Sequence, residues 1–166
     1  MKILALSDQV VEHLYSPLVK ERFGDVDLVV GCGDLPDYYL DYIVSMLNVP
    51  LTLVPGNHDL PTPSPDAEGE GEGGGTPRAC GNIDGRFLDI LVTHAPPRGI
   101  HDAEDPAHVG FEAFNRFIAR YRPRYLLHGH AHVYRHDAIT ITQVGPTTVI
   151  NVYPYRVIDI EGRHAG

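Results

Sequence analysis

Short apolar runs, each bounded by polar residues or glycine, recur through most of the 166-residue chain. Apolar side chains follow one another in these runs without alternation, which is typical of strands buried on both faces of a sheet. The runs that predict strands cover residues 3–6, 28–30, 51–54, 90–92 and 125–127. The pattern therefore predicts a sheet that is largely parallel.

Apolar positions at helical spacing between these runs predict three helices. The first begins at the capping pair Ser16 and Pro17, or at Val10 with Pro17 as a kink. The second spans 39–47 and presents a clear apolar face. The third extends over 105–122, because an Asp-Pro pair precedes it and a second proline follows it.

Beyond residue 138 the pattern changes to β-branched runs separated by glycine and proline, with no helical spacing between them. These runs predict strands over 139–142, 148–153 and 155–160. Neighbouring strands without intervening helices favour an antiparallel meander. The chain as a whole is therefore predicted to be α/β with an antiparallel extension.

The length favours a single domain over 1–166. One stretch within it, residues 61–79, contains five Gly, four Pro and four acidic residues. Such a segment buries too little apolar area to offset the entropy of ordering it. We therefore expect a flexible acidic Gly/Pro-rich loop at 61–79.

Charge and composition limit the classes of partner that the chain is expected to bind. Thirteen Lys and Arg against 22 Asp and Glu give a net charge of −9, which disfavours binding to the backbone of duplex nucleic acid. Small anionic substrates remain open, because a metal ion can supply positive charge locally. Only two cysteines are present, and no apolar run approaches the roughly 20 residues of a membrane helix. These features predict a cytoplasmic protein without a membrane segment.

Polar residues with metal-ligating side chains follow each of the five predicted strands. They are Asp8, Asp34, the triplet Asn57-His58-Asp59, His94, and the triplet His128, His130 and His132. The carboxyl ends of parallel strands meet at one edge of a sheet, so these side chains should converge. Mixed nitrogen and oxygen donors of this number predict a dinuclear metal centre, which suits hydrolysis of a phosphate ester.

With this spacing the sequence resembles the calcineurin-like metallophosphoesterases, whose pattern is Asp-x-His, Gly-Asp, Gly-Asn-His-Asp/Glu, a lone His and Gly-His-x-His. Four of the five blocks are present, namely Gly33-Asp34, Gly56-Asn57-His58-Asp59, His94 and Gly129-His130-Ala131-His132. The matches extend from residue 8 to residue 132. The resemblance implies the fold of that family, a two-sheet β-sandwich of mixed strands flanked by helices in four αββα layers.

The resemblance also implies roles for the matching residues. The implied metal ligands are Asp34, which bridges two ions, Asn57, His94 and His130 at one site, and Asp8 and His132 at the other. His58 would lie beside the leaving group and donate a proton or stabilise charge, with Asp59 orienting its ring. The implied cofactors are one or two divalent ions (manganese, iron, zinc or nickel). The implied reaction is hydrolysis of a phosphomonoester or phosphodiester by a metal-bound hydroxide.

One block departs from the family pattern. Where the family has Asp-x-His, this chain reads Asp8-Gln9-Val10, and valine cannot ligate a metal. The site of Asp8 and His132 should therefore bind its ion more weakly. Gln9 offers a carbonyl oxygen and His13 lies one turn further on, but neither has the usual geometry.

The sequence also indicates roles for further polar residues. Arg98 and His108 follow the lone histidine and either bind the phosphate of a small ester substrate or are solvated loop residues. His128 is expected to support the neighbouring ligands rather than to bind metal.

The departure at Val10 leaves a second function open. The retromer scaffold subunit resembles this family and uses the fold to hold protein partners, having lost part of its site. A degenerate scaffold of this kind is the alternative to an enzyme, although a retained His58 favours catalysis. A DNA repair nuclease of the same family is disfavoured, because the chain is acidic and has no basic stripe.

Overall fold

A computed structural model of the chain describes residues 1–59, 88–133 and 138–160. Its elements, in chain order, are β1 (Lys2–Leu6), α1 (Leu18–Phe23), β2 (Leu28–Gly31), α2 (Asp37–Leu47), β3 (Leu51–Leu53), β4 (Ile90–Val92), α3 (Glu112–Tyr121), β5 (Tyr125–His128), β6 (Ile141–Val144), β7 (Thr147–Asn151) and β8 (Tyr155–Asp159). Each predicted apolar run thus contains a strand. Of the helices in these ranges, none has the length and apolar content needed to cross a membrane.

The strands form two mixed sheets of four strands each. The first sheet has the order β3-β2-β1-β8, in which β1, β2 and β3 are parallel and β8 is antiparallel to β1. The second has the order β4-β5-β7-β6, in which β4, β5 and β7 are parallel and β6 is antiparallel to β7. Both sheets therefore have a parallel set whose carboxyl ends can carry a site.

Alternate residues of β1 face two different cores, which is why this strand is apolar throughout. Leu4 and Leu6 pack beneath the helices, in the same cluster as Val19 of α1 and Ile43 of α2. Ile3 and Ala5 face the other way and pack between the sheets. All of these side chains are buried, and each large one contributes about 1.5–3 kcal/mol to stability.

The second sheet completes the layers. Leu127 and Ile150 project from it into the core between the sheets. On its other face, Leu126 and Val149 pack against Ile118 of α3. The order of layers is thus two helices, first sheet, second sheet and one helix, which confirms the αββα sandwich that the resemblance implies.

The predicted antiparallel meander at the end of the chain is wrong. β6 and β7 form a hairpin in the second sheet, whereas β8 crosses to the first sheet and pairs with β1, with Leu6 opposite Tyr155. Val157 then packs towards the helices and Ile158 packs between the sheets. An apolar side chain on each face can be buried beside β1, which explains the crossing.

The helix starts are partly as predicted. α1 begins directly after Pro17, as the capping pair indicates, and the residues after Val10 form a turn instead. α3 begins at Glu112 rather than at residue 105. The Asp105 carboxylate accepts the backbone N–H groups of Ala107 and His108, so it closes a turn rather than capping a helix.

Two predictions reach beyond the described residues. The acidic loop at 61–79 lies entirely outside them, and the single domain over 1–166 includes residues that they leave out. Both stay predictions.

Candidate metal centre

The carboxyl ends of the two parallel sets meet at one edge of the sandwich. Asp8 and Asp34 follow β1 and β2 of the first sheet, and His94 follows β4 of the second. One ligand atom from each of these three side chains lies within 4.8 Å of the other two. The edge predicted from the strand ends therefore forms, but with two sheets contributing instead of one.

Three of the site residues have left-handed backbone conformations that are unfavourable for residues other than glycine. The φ angle is 63° at Asp8, 57° at Asp34 and 64° at His130. Such residues cost on the order of 1–3 kcal/mol each and cluster at functional sites. The Asp8 N–H donates to the Gly33 carbonyl at 3.1 Å, and the His130 N–H donates to Asp8 Oδ2 at 2.9 Å. The turns thus hold one another in place.

Backbone carbonyls determine which ring nitrogens of the two central histidines face the site. His94 Nδ1 lies 2.7 Å from the carbonyl oxygen of Cys32, and His130 Nε2 lies 2.6 Å from that of Ala107. A carbonyl can only accept, so both of these nitrogens carry the proton. In the neutral rings, His94 Nε2 and His130 Nδ1 therefore present lone pairs to the site.

With both rings neutral, four acceptor atoms therefore converge without a donor among them. His94 Nε2 lies 2.8 Å from Asn57 Oδ1, 3.1 Å from His130 Nδ1 and 3.3 Å from Asp34 Oδ2. The side chains of His94 and Asp34 are each only 9 % exposed, so water satisfies them poorly. A divalent cation among these donors satisfies all four, and the donor set is one that manganese, iron, zinc and nickel accept. The residues present therefore fit a metal ion.

A neighbouring position is less complete. His132 Nε2 lies 3.5 Å from Asp8 Oδ1, and the other Asp8 oxygen accepts hydrogen bonds from the Ser7 hydroxyl and the His130 backbone. The His132 ring stacks on Tyr153 at 4.6 Å. With Asp34 shared, this position has fewer protein donors than the first.

Val10, which stands where the family has a ligand, and its neighbours Gln9 and His13 contact other groups. Val10 packs against the core beneath the helices. The side-chain oxygen of Gln9 accepts a hydrogen bond from the Tyr153 hydroxyl at 2.7 Å. His13 contacts the Tyr155 hydroxyl at 3.2 Å. These contacts agree with the expectation from the sequence that the second site binds its ion more weakly, which stays a prediction.

His58 and Asp59 follow β3 with different contacts. The exposed His58 lines the same cleft as Asp8, Asp34 and His130, and its backbone N–H donates to Asp34 Oδ1 at 2.7 Å. Asp59 Oδ2 accepts the backbone N–H groups of Asp34 at 3.0 Å and Gly56 at 2.6 Å. Asp59 thus joins the turns after β2 and β3, and its predicted action on the His58 ring stays a prediction.

Of the two candidate substrate-binding residues, the structure brings one to the cleft. His108 lines this cleft of about 420 Å³, and its Nδ1 contacts Asp105 Oδ1 at 2.8 Å, which lowers the pKa of that carboxyl. The Arg98 guanidinium instead donates to Asp102 at 3.0 Å and to Glu104 at 3.2 Å. Arg98 is absent from the described cleft walls.

Several supporting groups were not indicated by residue type. Cys32 acts through its carbonyl, while burial raises the pKa of its thiol and keeps it protonated. Ala107 supplies the carbonyl that orients His130. Such backbone contributions have no side-chain signal, so only the fold can reveal them.

His128, which sequence reasoning placed in support of the ligands, lies buried between the turn and a loop. Its Nδ1 donates to the Gly129 carbonyl at 2.9 Å, and its Nε2 accepts from His101 Nδ1 at 2.9 Å. Burial lowers the pKa of His128 to about 3. Burial, together with the charge of Arg156, lowers the pKa of His101 to about 4. Both rings are neutral at pH 7.

Comparison with known proteins places these features in a family. The family model described as the calcineurin-like phosphoesterase superfamily domain matches residues 1–152. No curated protein matches the chain in sequence.

Solved structures of similar fold include Vacuolar Protein Sorting 29 (Vps29) from three organisms. The Cryptosporidium parvum protein is 15% identical, with a TM-score of 0.51 over 91% of this chain and 72% of that one. Wild-type Vps29 complexed with Zn²⁺ from Entamoeba histolytica is 16% identical, with a TM-score of 0.53 over 92% and 73%. Vps29 from Chaetomium thermophilum is 14% identical, with a TM-score of 0.51 over 97% and 83%. At these identities the likeness concerns the fold alone.

Proposed function

The chain belongs to the calcineurin-like phosphoesterase superfamily, and from this membership and the geometry of its candidate metal centre we propose that it is a metal-dependent phosphoesterase. The substrate is a small ester of phosphate, either a monoester or a diester. The observation that carries the proposal is the convergence of Asn57 Oδ1, His130 Nδ1 and Asp34 Oδ2 on His94 Nε2. All four atoms are acceptors when the two rings are neutral. A hydrogen-bonded structural cluster would place a proton between at least two of them.

The ligands would be the six residues that the sequence indicates, namely Asp34, Asn57, His94 and His130 around one ion, and Asp8, Asp34 and His132 around a second. When bound, divalent cations supply positive charge for the phosphoryl oxygens and activate water at neutral pH. The chain itself supplies the geometry, because hydrogen bonds to Cys32 and Ala107 hold the two central imidazoles in one orientation.

His58 is the proposed proton donor to the leaving group. Its ring is exposed in the cleft that the metal ligands line, so a bound ester can reach it. Asp59 supports this placement by joining the Asp34 turn to the turn that carries His58. General acid catalysis of this kind contributes about 10²–10⁴-fold to the rate.

The test uses protein stripped with a chelator and reconstituted with single metals. Isothermal titration with Mn²⁺ and with Zn²⁺ measures binding, and bis-p-nitrophenyl phosphate and p-nitrophenyl phosphate report turnover. We expect binding and metal-dependent turnover, and we expect His58→Asn to retain the metal and lose turnover by at least about 10²-fold. Absence of binding and turnover with every divalent ion would overturn the proposal.

A second candidate, a scaffold that binds protein partners with little catalysis, is favoured by the packing of Val10 into the core. A Val10→His variant separates the two. A rise in both metal occupancy and turnover identifies a weakened catalyst, whereas a wild-type protein that turns over no ester and a variant that gains neither favour the scaffold.

A further inference from the structure

A second cavity of about 590 Å³ adjoins the metal cleft. His108 and His132 line both spaces, so they form the boundary between them. A ligand whose phosphoryl group lies at the metal ligands would therefore extend past these two rings into the second cavity.

Two polar side chains that line this cavity, His101 and Asn151, form hydrogen bonds with other groups of the chain. His101 uses both ring nitrogens, at 2.9 Å to His128 and at 2.8 Å to Thr142. Asn151 donates to the Ala131 carbonyl at 2.7 Å and accepts from the Tyr153 N–H at 3.0 Å. Both ring nitrogens of His101 are thus engaged outside the cavity.

The rest of the wall, as far as the structure describes it, is largely apolar. Its apolar members are Ala103, Ala131, Val133, Ala138 and Ile139. Among the described residues no Lys or Arg lines the cavity, and Asp102 contributes a negative charge. The Asp102 carboxylate is engaged by the Arg98 guanidinium and by the Gly110 N–H.

We propose that this cavity binds the organic part of the ester and selects an uncharged group with an aromatic or apolar surface. The inference rests on the proposed function, which supplies the reaction, and it adds the class of substrate. Apolar walls with a few aligned ring faces are typical of sites for such groups. Esters with a further phosphate or carboxylate at the far end would place that charge against the apolar side chains of the described wall.

A binding experiment tests the cavity without turnover. Phenylphosphonate and methylphosphonate, which are not hydrolysed, are titrated into Mn²⁺-loaded protein. Burial of the ring should make phenylphosphonate bind about tenfold more tightly. Equal affinities would overturn the cavity proposal and leave the proposed function intact.

A comparison of turnover for two esters provides a second test. 4-Carbamoylphenyl phosphate and 4-carboxyphenyl phosphate have nearly the same shape and differ in charge. We expect kcat/KM to favour the neutral ester at least about tenfold. Hydrolysis of both esters at equal kcat/KM would contradict the inference. Hydrolysis of neither, together with no turnover of bis-p-nitrophenyl phosphate, would contradict the proposed function.

Variants at Ile139 connect this preference to the cavity. Ile139 lines the cavity and is 74% exposed, so Ile139→Lys should leave the fold unchanged. The added charge should shift the preference towards the carboxylate ester. Ile141→Lys is the matched control, because Ile141 is 50% exposed and lies outside the described lining. An equal shift in both variants would indicate long-range charge rather than the cavity.

Discussion

Each of the two central histidines uses one ring nitrogen on a backbone carbonyl, and this decides what its other nitrogen can do. His94 and His130 are held by carbonyls from different parts of the chain. The rings therefore need no reorganisation to receive a cation. Preorganisation of this kind is how outer contacts raise the affinity of a metal ligand.

The difference between the two ligand positions predicts unequal occupancy. Mn²⁺ titrated into wild-type protein should bind first at the four-donor position. His132→Ala should retain that first event and lose the weaker one, whereas His130→Ala should weaken the first event by more than the roughly 10–100-fold that loss of an outer contact costs. Isothermal titration measures both. Two equal events in wild-type protein would show that Val10 leaves the second position intact.

The neutral His101 predicts a pH dependence of stability. Its pKa is lowered to about 4 in the folded protein, against about 6.5 when unfolded. The unfolded chain therefore binds more protons between these values, so stability should fall as the pH decreases from about 6.5 to about 4.

His101→Asn tests this dependence, because asparagine tolerates the φ of 59° at this position. Thermal unfolding in the presence of a chelator, followed from pH 7 to pH 4, should show a shallower loss of stability in the variant. Parallel curves for the two proteins would exclude His101 as a source of the dependence.

Residue types and spacing were enough to indicate which side chains meet at the site, because ligands at the ends of parallel strands must converge. They were not enough to predict whether Arg98 would line the cleft or pair with acidic residues of its own loop. Its acidic neighbours at Asp102 and Glu104 are close along the chain, and a local ion pair competes with binding in the cleft. Such a competition is settled by loop geometry.

At the scale of elements, the site depends on how closely the turn after β5 approaches the turn after β1. A Cβ added to Gly129 would lie 2.5 Å from Asp8 Oδ2 and 2.6 Å from Ser7 Cβ. These approaches are far inside van der Waals contact. Glycine is therefore required here for space rather than for its backbone conformation.

Gly129→Ala should accordingly be more damaging than an alanine at a glycine that is needed only for its φ. Gly99 has a φ of 78° and open space around its Cα, so Gly99→Ala should cost about 1 kcal/mol. Gly129→Ala should cost more and should also weaken Mn²⁺ binding, since it displaces Asp8. Urea denaturation and metal titration measure the two effects; equal losses in the two variants would contradict this explanation.

The existence of the strands followed from the apolar runs, but the sheet of the last strand did not. β8 has apolar side chains on both faces and suits either sheet. Its pairing with β1 joins residues some 150 positions apart, and local pattern carries no information about such a pairing. The start of α3 was misjudged for a related reason, since Asp105 closes a turn with the same chemistry that would cap a helix.

In the whole molecule, each sheet supplies half of the proposed ligand set. Asp8, Asp34 and Asn57 follow strands of the first sheet, and His94, His130 and His132 follow strands of the second. The core between the sheets therefore sets the distance between the two halves of the site.

This arrangement predicts that core variants of similar stability differ in metal binding. Leu127 is buried between the sheets, and Leu14 is buried beneath the helices. Leu127→Ala and Leu14→Ala should each cost about 2–5 kcal/mol. Only Leu127→Ala should also weaken Mn²⁺ binding, because its cavity lies between the two halves of the site. Equal affinities at matched loss of stability in urea would argue against this coupling.

The same division of ligands has a consequence along the chain. Every proposed ligand from the first sheet precedes residue 60, and every one from the second follows residue 87. Two polypeptides separated within that interval would each carry three of the six ligands, and the second would carry the strand that pairs with β1. If such halves were fused to other proteins, they would behave as a heterodimer whose assembly depends on the concentration of free divalent cation.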